Sequence, residues 1–274
     1  MDTFIDPVGG AFIGRERRRF DRGISGQPVR IHTLGRFGIQ IDGRALPSRA
    51  LRQQKPIELL QCVIALGGRS VHKDSLSATL WPDAEGDDAA NSYDVTLHRL
   101  RRLLKHEDAL ISKAGRLTIN NEVVWVDAWT FEKILNRIDR SIRTASDHDA
   151  ETQVDRLLRE AIPLYQGGFL ACEGHKPWGL SFHERLRSRL MRCIVQIGRQ
   201  AEHDGQWLAA ADCYQTGIEL DPVYELFYQR LMICYRDAGR KAEARSVYLR
   251  CRANLLAGLQ VAPSPETEKI LATL

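Results

Sequence analysis

Basic side chains and leucines alternate along Leu97–Leu104, which reads LHRLRRLL. The leucines recur at helical spacing, and a histidine or an arginine fills every gap between them. Arginine presents a planar fork of donors that suits phosphate oxygens and the major-groove edge of guanine. The stretch is therefore either the solvated outside of an ordinary surface helix or a surface that contacts a negatively charged partner.

This stretch belongs to a helix that we predict from about Ala89 to Lys105. One side of the helix is expected to pack on the core: Tyr93, Leu97, Leu100 and Leu104. The opposite side is predicted to read DNA bases: Asn91, Val95, His98, Arg99 and Arg102. Asparagine can pair with adenine, arginine with guanine, and a small apolar group can meet the thymine methyl. No carboxylate lies among the outward residues between Val95 and Lys105.

A second set of basic side chains is expected to contact the DNA backbone. Its members come from several predicted elements: Lys55, Lys73, Arg101, Lys105, Lys113 and Arg116. Each one alone is an ordinary surface cation, so only the ensemble argues for a phosphate clamp. Such a clamp would give an affinity that falls steeply with salt.

Residues 1–28 lack sustained periodicity and contain the run RERRRFDR, so we predict a basic, flexible arm. Five arginines carry its charge: Arg15, Arg17, Arg18, Arg19 and Arg22. They could follow DNA phosphates or bind an acidic partner. Because Arg15 and Arg19 form an Arg-x-x-x-Arg pair, they could also bind a nucleotide or a phosphate-rich second messenger. A solvated tail is the simplest interpretation.

Motifs for catalysis and metal binding are missing from the sequence. There is no His-Glu-x-x-His, no clustered His/Cys ligand spacing, no Gly-x-Ser-x-Gly elbow and no Gly-x-x-x-x-Gly-Lys-Ser/Thr phosphate loop. We therefore expect no enzyme, no catalytic residues, no metal and no cofactor.

Composition indicates a soluble globular protein, with 274 residues of which 43% are hydrophobic and 27% charged. No apolar run is long enough to cross a bilayer and no secretory signal is present, so no membrane partner is expected. Six cysteines without a Cys-x-x-Cys pair indicate reduced thiols in a cytoplasmic protein. The net charge of +4 arises entirely within residues 1–140, where a polyanion would bind.

Residues 29–127 show the order sheet, three helices, hairpin. Alternating apolar residues lead into the turn signal Asp42-Gly43, and the three helical segments follow. A hairpin is then predicted around Ala114-Gly115, with a further turn at Asn120-Asn121. This order is that of an α+β winged helix-turn-helix domain.

Residues 128–274 are predicted to be entirely helical, with an internal repeat of tetratricopeptide (TPR) type. Three pairs of residues are each separated by 34 positions: Gly205 and Gly239, Ala210 and Ala244, Tyr214 and Tyr248. Small residues would lie where paired helices approach closely, and each glycine where the chain turns. Helical segments at about 130–142 and 150–165 would extend the stack.

These patterns resemble a known family. Segment 29–127 resembles the OmpR/PhoB-type winged-helix domain, whose third helix carries a run similar to Arg99-Leu100-Arg101-Arg102. Segment 129–274 resembles the bacterial transcriptional activation domain, through AIPLYQGGFLAC, ELDPVYELFYQRLMICYRDAGRKAEARSVYLRC and GLQVAPSPET. The order matches SARP-type activators and the C-terminal parts of MalT-like ATPase regulators. LWPDAEGDDAANSYDVTLHRLRRLL is most similar to the latter.

The resemblance implies a transcriptional activator, of the kind used in phosphorelay signal transduction. It would bind direct repeats in promoters as a homodimer on DNA, engage RNA polymerase and respond to an effector. The predicted wing reads Gly115-Arg116-Leu117 where the family often has Gly-Tyr-Arg, which leaves its minor-groove role open. Two alternatives remain: a TPR-type protein-interaction adaptor, or the C-terminal output module of a larger signal-transducing regulator.

Overall fold

The computed structural model describes residues 26–52, 54–84, 86–144, 148–172 and 176–274. These residues form two compact units. The first contains the described residues up to Asn136 together with Asp155–Leu186. The second contains Arg137–Val154 together with Arg187–Leu274.

A four-stranded sheet begins the first unit. Its strands are β1 (Val29–His32), β2 (Gly38–Ile41), β3 (Arg44–Ala45) and β7 (Val124–Val126), in the order β3-β2-β1-β7. β1 and β2 pair antiparallel, and the chain turns at Asp42-Gly43 as predicted. β7 pairs with β1 in parallel, with Val29 opposite Val124. The sheet is therefore mixed, and its edge strand β7 comes from a distant part of the sequence.

Four helices follow the first three strands: α1 (Ser48–Leu51), α2 (Gln54–Ala65), α3 (Lys73–Leu80) and α4 (Gly86–Leu104). Pro56 lies in the first turn of α2, where a missing backbone N–H costs no helical hydrogen bond. The helix ends before Gly67-Gly68, both of which have positive φ. α2, α3 and α4 pack on one another around fully buried leucines: Leu60, Leu76 and Leu100.

A second sheet forms the predicted wing. It contains β4 (Val71–His72), β5 (Leu110–Lys113) and β6 (Arg116–Ile119), in the order β4-β6-β5. A short 3₁₀ turn at Glu107–Ala109 connects α4 to β5. Lys113 faces Arg116 across the hairpin, and the turn residues Ala114 and Gly115 have φ of 49° and 69°. Two successive positive φ values suit a tight two-residue hairpin turn, which explains the glycine.

Asp127 directly follows β7 and forms hydrogen bonds with residues that follow β1. Its carboxylate is fully buried and accepts hydrogen bonds from the backbone N–H groups of Thr33 (2.8 Å) and Leu34 (3.0 Å) and from the Thr33 hydroxyl (2.7 Å). Burial raises the pKa of Asp127, and the hydrogen bonds from Thr33 and Leu34 oppose that rise because they favour the charged form. The carboxylate thus satisfies amides that would otherwise be buried without an acceptor.

Seven helices make up most of the described residues that remain: α5 (Asp127–Thr144), α6 (His148–Ala161), α7 (Pro177–His203), α8 (Trp207–Leu220), α9 (Glu225–Asp237), α10 (Lys241–Leu259) and α11 (Pro265–Ala272). A 3₁₀ turn at Ile162–Leu164 follows α6. The prediction of a winged-helix part followed by an all-α, TPR-like part is confirmed.

The repeat in the second unit pairs α7 with α8 and α9 with α10. Gly205 and Gly239 lie in the two turns with φ of 71° and 78°, which suits the turns that join paired helices. Gly198 packs directly against the ring of Tyr214, and a Cβ at Gly217 would lie 2.6 Å from the Phe227 ring. Glycine therefore permits the close approach of neighbouring helices at these two points.

Candidate nucleic-acid interface

The helix α4 is amphipathic, and its orientation follows from which residues it buries. Tyr93, Leu97, Leu100 and Leu104 are all buried, as predicted, and α4 packs against α2 and α3. Since side chains four and seven residues apart share a face, the opposite face points away from this core. Burial also raises the pKa of Tyr93 to about 12, with a further contribution from the Asp94 carboxylate, so the phenol stays neutral.

The five residues predicted to read bases all lie on the exposed side of α4. We refer to this set as the α4 outer face: Asn91, Val95, His98, Arg99 and Arg102. Val95 is 52% exposed, an unusual position for a β-branched apolar residue in a helix. No described residue forms a hydrogen bond or ion pair with the side chains of His98, Arg99 or Arg102. Their donors are therefore available to a partner.

The six predicted phosphate contacts divide into two groups. Lys105 and Lys113 are exposed, and neither side chain has a polar partner in the part of the chain that is described. The other four donate to groups of the fold. Lys73 Nζ lies 2.9 Å from Asp94 Oδ2, and Lys55 Nζ donates to the Leu80 carbonyl at 2.7 Å.

Arg101 and Arg116 complete the second group. Arg101 donates to the Leu110 carbonyl at 3.3 Å, while Arg116 donates to the Ser70 carbonyl at 3.1 Å. Each hydrogen bond positions its guanidinium group and leaves other donors of that group available, since a guanidinium carries five N–H donors. The group of four thus stabilises the fold as well as contributing positive charge.

The wing turn is held against the start of α3. The backbone N–H of Lys73 donates to the carbonyl of Gly115 at 2.8 Å. The Ser70 N–H donates to the hydroxyl of Thr118 at 2.9 Å. These bonds place Lys73 and the hairpin residues Lys113–Arg116 at the same end of the domain.

Sequence reasoning missed two residues beside this surface. Asp94 neutralises Lys73 by pairing α4 with α3, a contact that no local pattern indicates because 21 residues separate the two groups. Arg69 is exposed in the turn before β4 and forms no polar contact with a described side chain. The Gly67-Gly68 turn signal could have drawn attention to it, since exposed turns often present binding residues.

The predicted arm cannot be placed, because Arg15, Arg17, Arg18, Arg19 and Arg22 lie outside the described residues. Within the described ranges, no group of three or more His, Cys, Asp or Glu side chains could hold a metal ion. None of the described helices is long and apolar enough to cross a membrane.

The four-residue α1 precedes the three helices of the winged helix-turn-helix, α2, α3 and α4, so α4 is the third of these. A winged helix with an exposed basic third helix, followed by TPR-like helical repeats, is the architecture of SARP-type bacterial transcriptional activators. The bacterial transcriptional activator domain family matches residues 126–274, which is more than half of the chain. The chain belongs to this family, and the resemblance inferred from its sequence is confirmed.

One curated protein and one solved structure are similar to this chain. The regulatory protein AfsR of Streptomyces griseus is 24% identical over 234 residues, which cover 83% of this chain and 23% of that protein. The solved structure of Mycobacterium tuberculosis EmbR in complex with a low-affinity phosphopeptide is similar with a TM-score of 0.62 and 19% identity. That similarity covers 90% of this chain and 64% of EmbR, and at this identity it shows a common fold. The chain thus spans less than two thirds of the length of either relative.

Proposed function

We propose that the chain is a sequence-specific DNA-binding transcriptional activator that reads promoter DNA with the α4 outer face. The observation that carries this proposal is the availability of Arg99 and Arg102, which are exposed and have no polar partner among the described residues. The major groove is wide enough to admit a helix, and in winged helices the third helix enters it. Family membership supports the regulatory role.

The roles within the face follow from donor and acceptor chemistry. Arg99 and Arg102 fork onto guanine O6 and N7, and Asn91 pairs with adenine. Val95 contacts a thymine methyl, because removing its exposed apolar surface from water lowers the free energy of the complex. His98 supplies a further ring nitrogen to a base edge.

We assign the contacts to the DNA backbone according to whether each basic side chain already has a polar partner in the described chain. Lys105 and Lys113 contact phosphates directly, because they have no competing partner in the described chain. Lys55, Lys73, Arg101 and Arg116 reach phosphates only through donors that the fold does not already use. Of these, Lys73 and Lys55 must share their ammonium groups with Asp94 and Glu58, so they contribute less than the two arginines.

The two halves have separate roles in this proposal. Residues 29–127 bind DNA, and residues 128–274 supply dimer contacts, a surface for RNA polymerase or a site for an effector. The protein acts in the cytoplasm as a homodimer on direct repeats, without a metal or cofactor.

The proposal is tested by mobility shift against random genomic DNA fragments at two salt concentrations. We expect selection of specific fragments and an affinity that falls steeply with salt. Replacement of Lys105 or Lys113 by alanine should lower the slope of log affinity against log salt by about one, uniformly across fragments. Lys269→Ala is the matched control, because Lys269 is exposed on α11 and also lacks a polar partner among described residues.

Failure to select any fragment, in a preparation with the expected helical content, would favour the adaptor alternative. Equal slopes for the wild type and both lysine variants would contradict the assignment of Lys105 and Lys113.

A further inference from the structure

The helix α10 carries an exposed apolar stripe. Leu249 is 62% exposed, Leu256 is 61% exposed and Leu259 is 53% exposed. Leu249 and Leu256 are seven residues apart, so they lie on one face of the helix, and Leu259 continues that face by three residues. Leucines at this spacing are typical of a seam that packs on another helix.

Two arginines lie on the same face. Arg245 precedes Leu249 by four positions, and Arg252 lies between Leu249 and Leu256. Both are exposed, and the described residues supply neither with a hydrogen bond or ion pair. We call these five residues the α10 outer face: Arg245, Leu249, Arg252, Leu256 and Leu259.

The two arginines can be compared with the equivalent positions of the preceding repeat. Moving back by the repeat length of 34 residues places Arg245 on Ala211 and Arg252 on Ile218, both in α8. Ala211 and Ile218 are buried, and α8 packs extensively against α9. Two positions that are buried in α8 are therefore exposed in α10, where they carry guanidinium groups instead of apolar side chains.

The last helix does not cover it. α11 is fastened to α9, because Glu225 accepts hydrogen bonds from the backbone N–H (2.7 Å) and hydroxyl (2.9 Å) of Ser264 and from the Thr267 hydroxyl. Gln229 donates to the Thr267 oxygen at 2.9 Å. On α10, Tyr248 donates to Glu268 of α11 at 2.6 Å, which places α11 to one side of the leucine stripe.

We infer that the α10 outer face binds an amphipathic helix of another protein that presents apolar residues at heptad spacing beside carboxylates. The leucines supply apolar area, and the carboxylates pair with Arg245 and Arg252. A wholly apolar partner would bury both guanidinium groups unpaired, which is strongly unfavourable. A second copy of the same face would bring two further arginines against the first two, so like charges disfavour self-pairing.

The inference is independent of DNA binding and can be tested with two synthetic heptad-repeat peptides. Both have the same leucine seam, but one carries glutamate and the other lysine at the flanking positions, so each repels itself. Binding of each labelled peptide to the full chain is measured by fluorescence anisotropy. We expect the glutamate peptide to bind and the lysine peptide not to bind.

Two double variants locate the site. The double variant Leu249→Ser with Leu256→Ser should lower the affinity for the glutamate peptide by about tenfold or more, because buried apolar side chains supply most of the binding free energy in such interfaces. Arg245→Glu with Arg252→Glu should reverse the preference in favour of the lysine peptide. Arg192→Ala, at an exposed position of α7, should leave both affinities unchanged.

Three outcomes would overturn the inference in a chain whose circular dichroism and melting temperature match the wild type. The first is equal binding of the two peptides to the wild type. The second is binding of the glutamate peptide that neither double variant changes. The third is a homodimer in solution that the leucine double variant converts to monomer, which would assign the face to self-association.

Discussion

The outer faces of α4 and α10 both present exposed arginines that pair with no described residue. The two faces differ in the residues that lie between those arginines. On α4 the neighbours are Asn91 and His98, with a single apolar residue, Val95. On α10 the neighbours are leucines. Both faces are therefore positively charged, but the α10 outer face exposes more apolar surface than the α4 outer face.

This difference indicates two kinds of partner. Protein–DNA interfaces are polar and rich in bridging water, so a face of donors with little apolar area suits a duplex. The centre of a protein–protein interface is depleted of charge and dry, so arginine beside leucine suits a protein helix that supplies carboxylates. Counting basic residues alone would treat the two faces as equivalent.

The largest effect should come from replacing the arginines of each face and measuring both DNA binding and peptide binding. Arg99→Ala and Arg102→Ala should each cost about 1–3 kcal/mol of discrimination at the base pair they read. Arg245→Ala with Arg252→Ala should leave DNA selection unchanged and weaken the glutamate peptide. Competition mobility shift measures the first, and anisotropy the second. Equal loss of DNA affinity in both pairs would mean that only total charge matters.

Substitutions in the repeat that supports α10 should change the stability of the chain and leave its DNA selection unchanged. Gly198→Ala introduces a methyl group into the space of the Tyr214 ring and should destabilise the chain by about 1–3 kcal/mol. Gly205→Ala meets no atom within 4 Å and should cost about 1 kcal/mol through its positive φ. Urea unfolding measures both changes. The DNA preference of folded Gly198→Ala should be unaltered, whereas a changed preference would connect α4 to the repeat.

The smallest effects separate two buried tyrosines of neighbouring repeat units, Tyr214 in α8 and Tyr228 in α9. The Tyr214 hydroxyl is buried without a hydrogen-bond partner among the described residues, so Tyr214→Phe should be neutral or slightly stabilising. Tyr228 donates to the Pro222 carbonyl at 2.8 Å and accepts from Asn254 at 2.6 Å. Tyr228→Phe should therefore cost about 1 kcal/mol. Equal melting temperatures for the two variants would show that these hydrogen bonds contribute little.

Local patterns predicted much of the fold. The turns at Asp42-Gly43 and Ala114-Gly115, the two faces of α4 and the 34-residue repeat each depend on residues close in sequence or on a fixed period. The parallel pairing of β7 with β1 could not be predicted in this way. It joins residues more than ninety positions apart, and the hydrogen bond from Thr33 to the buried carboxylate of Asp127 beside it spans a similar separation.

The site shows the same limit. Periodicity identified the exposed side of α4, because burial of one helix face exposes the other. It could not show that Lys55 donates to the Leu80 carbonyl or that Lys73 pairs with Asp94, since both contacts join different helices. The exposed face of α10 could not be predicted either. Leucines at helical spacing predict a buried face, and only the positions of the neighbouring helices show that this face is exposed.

Methylation interference on a selected DNA fragment tests the central claim most directly, since methylation of guanine N7 blocks the atom that an arginine fork contacts. The wild-type chain should show interference at guanines in each half-site, and Arg102→Ala should lose one of those positions while phosphate contacts persist. Interference that is absent in the wild type, or identical in the Arg99→Ala and Arg102→Ala variants, would contradict reading of the major groove by α4.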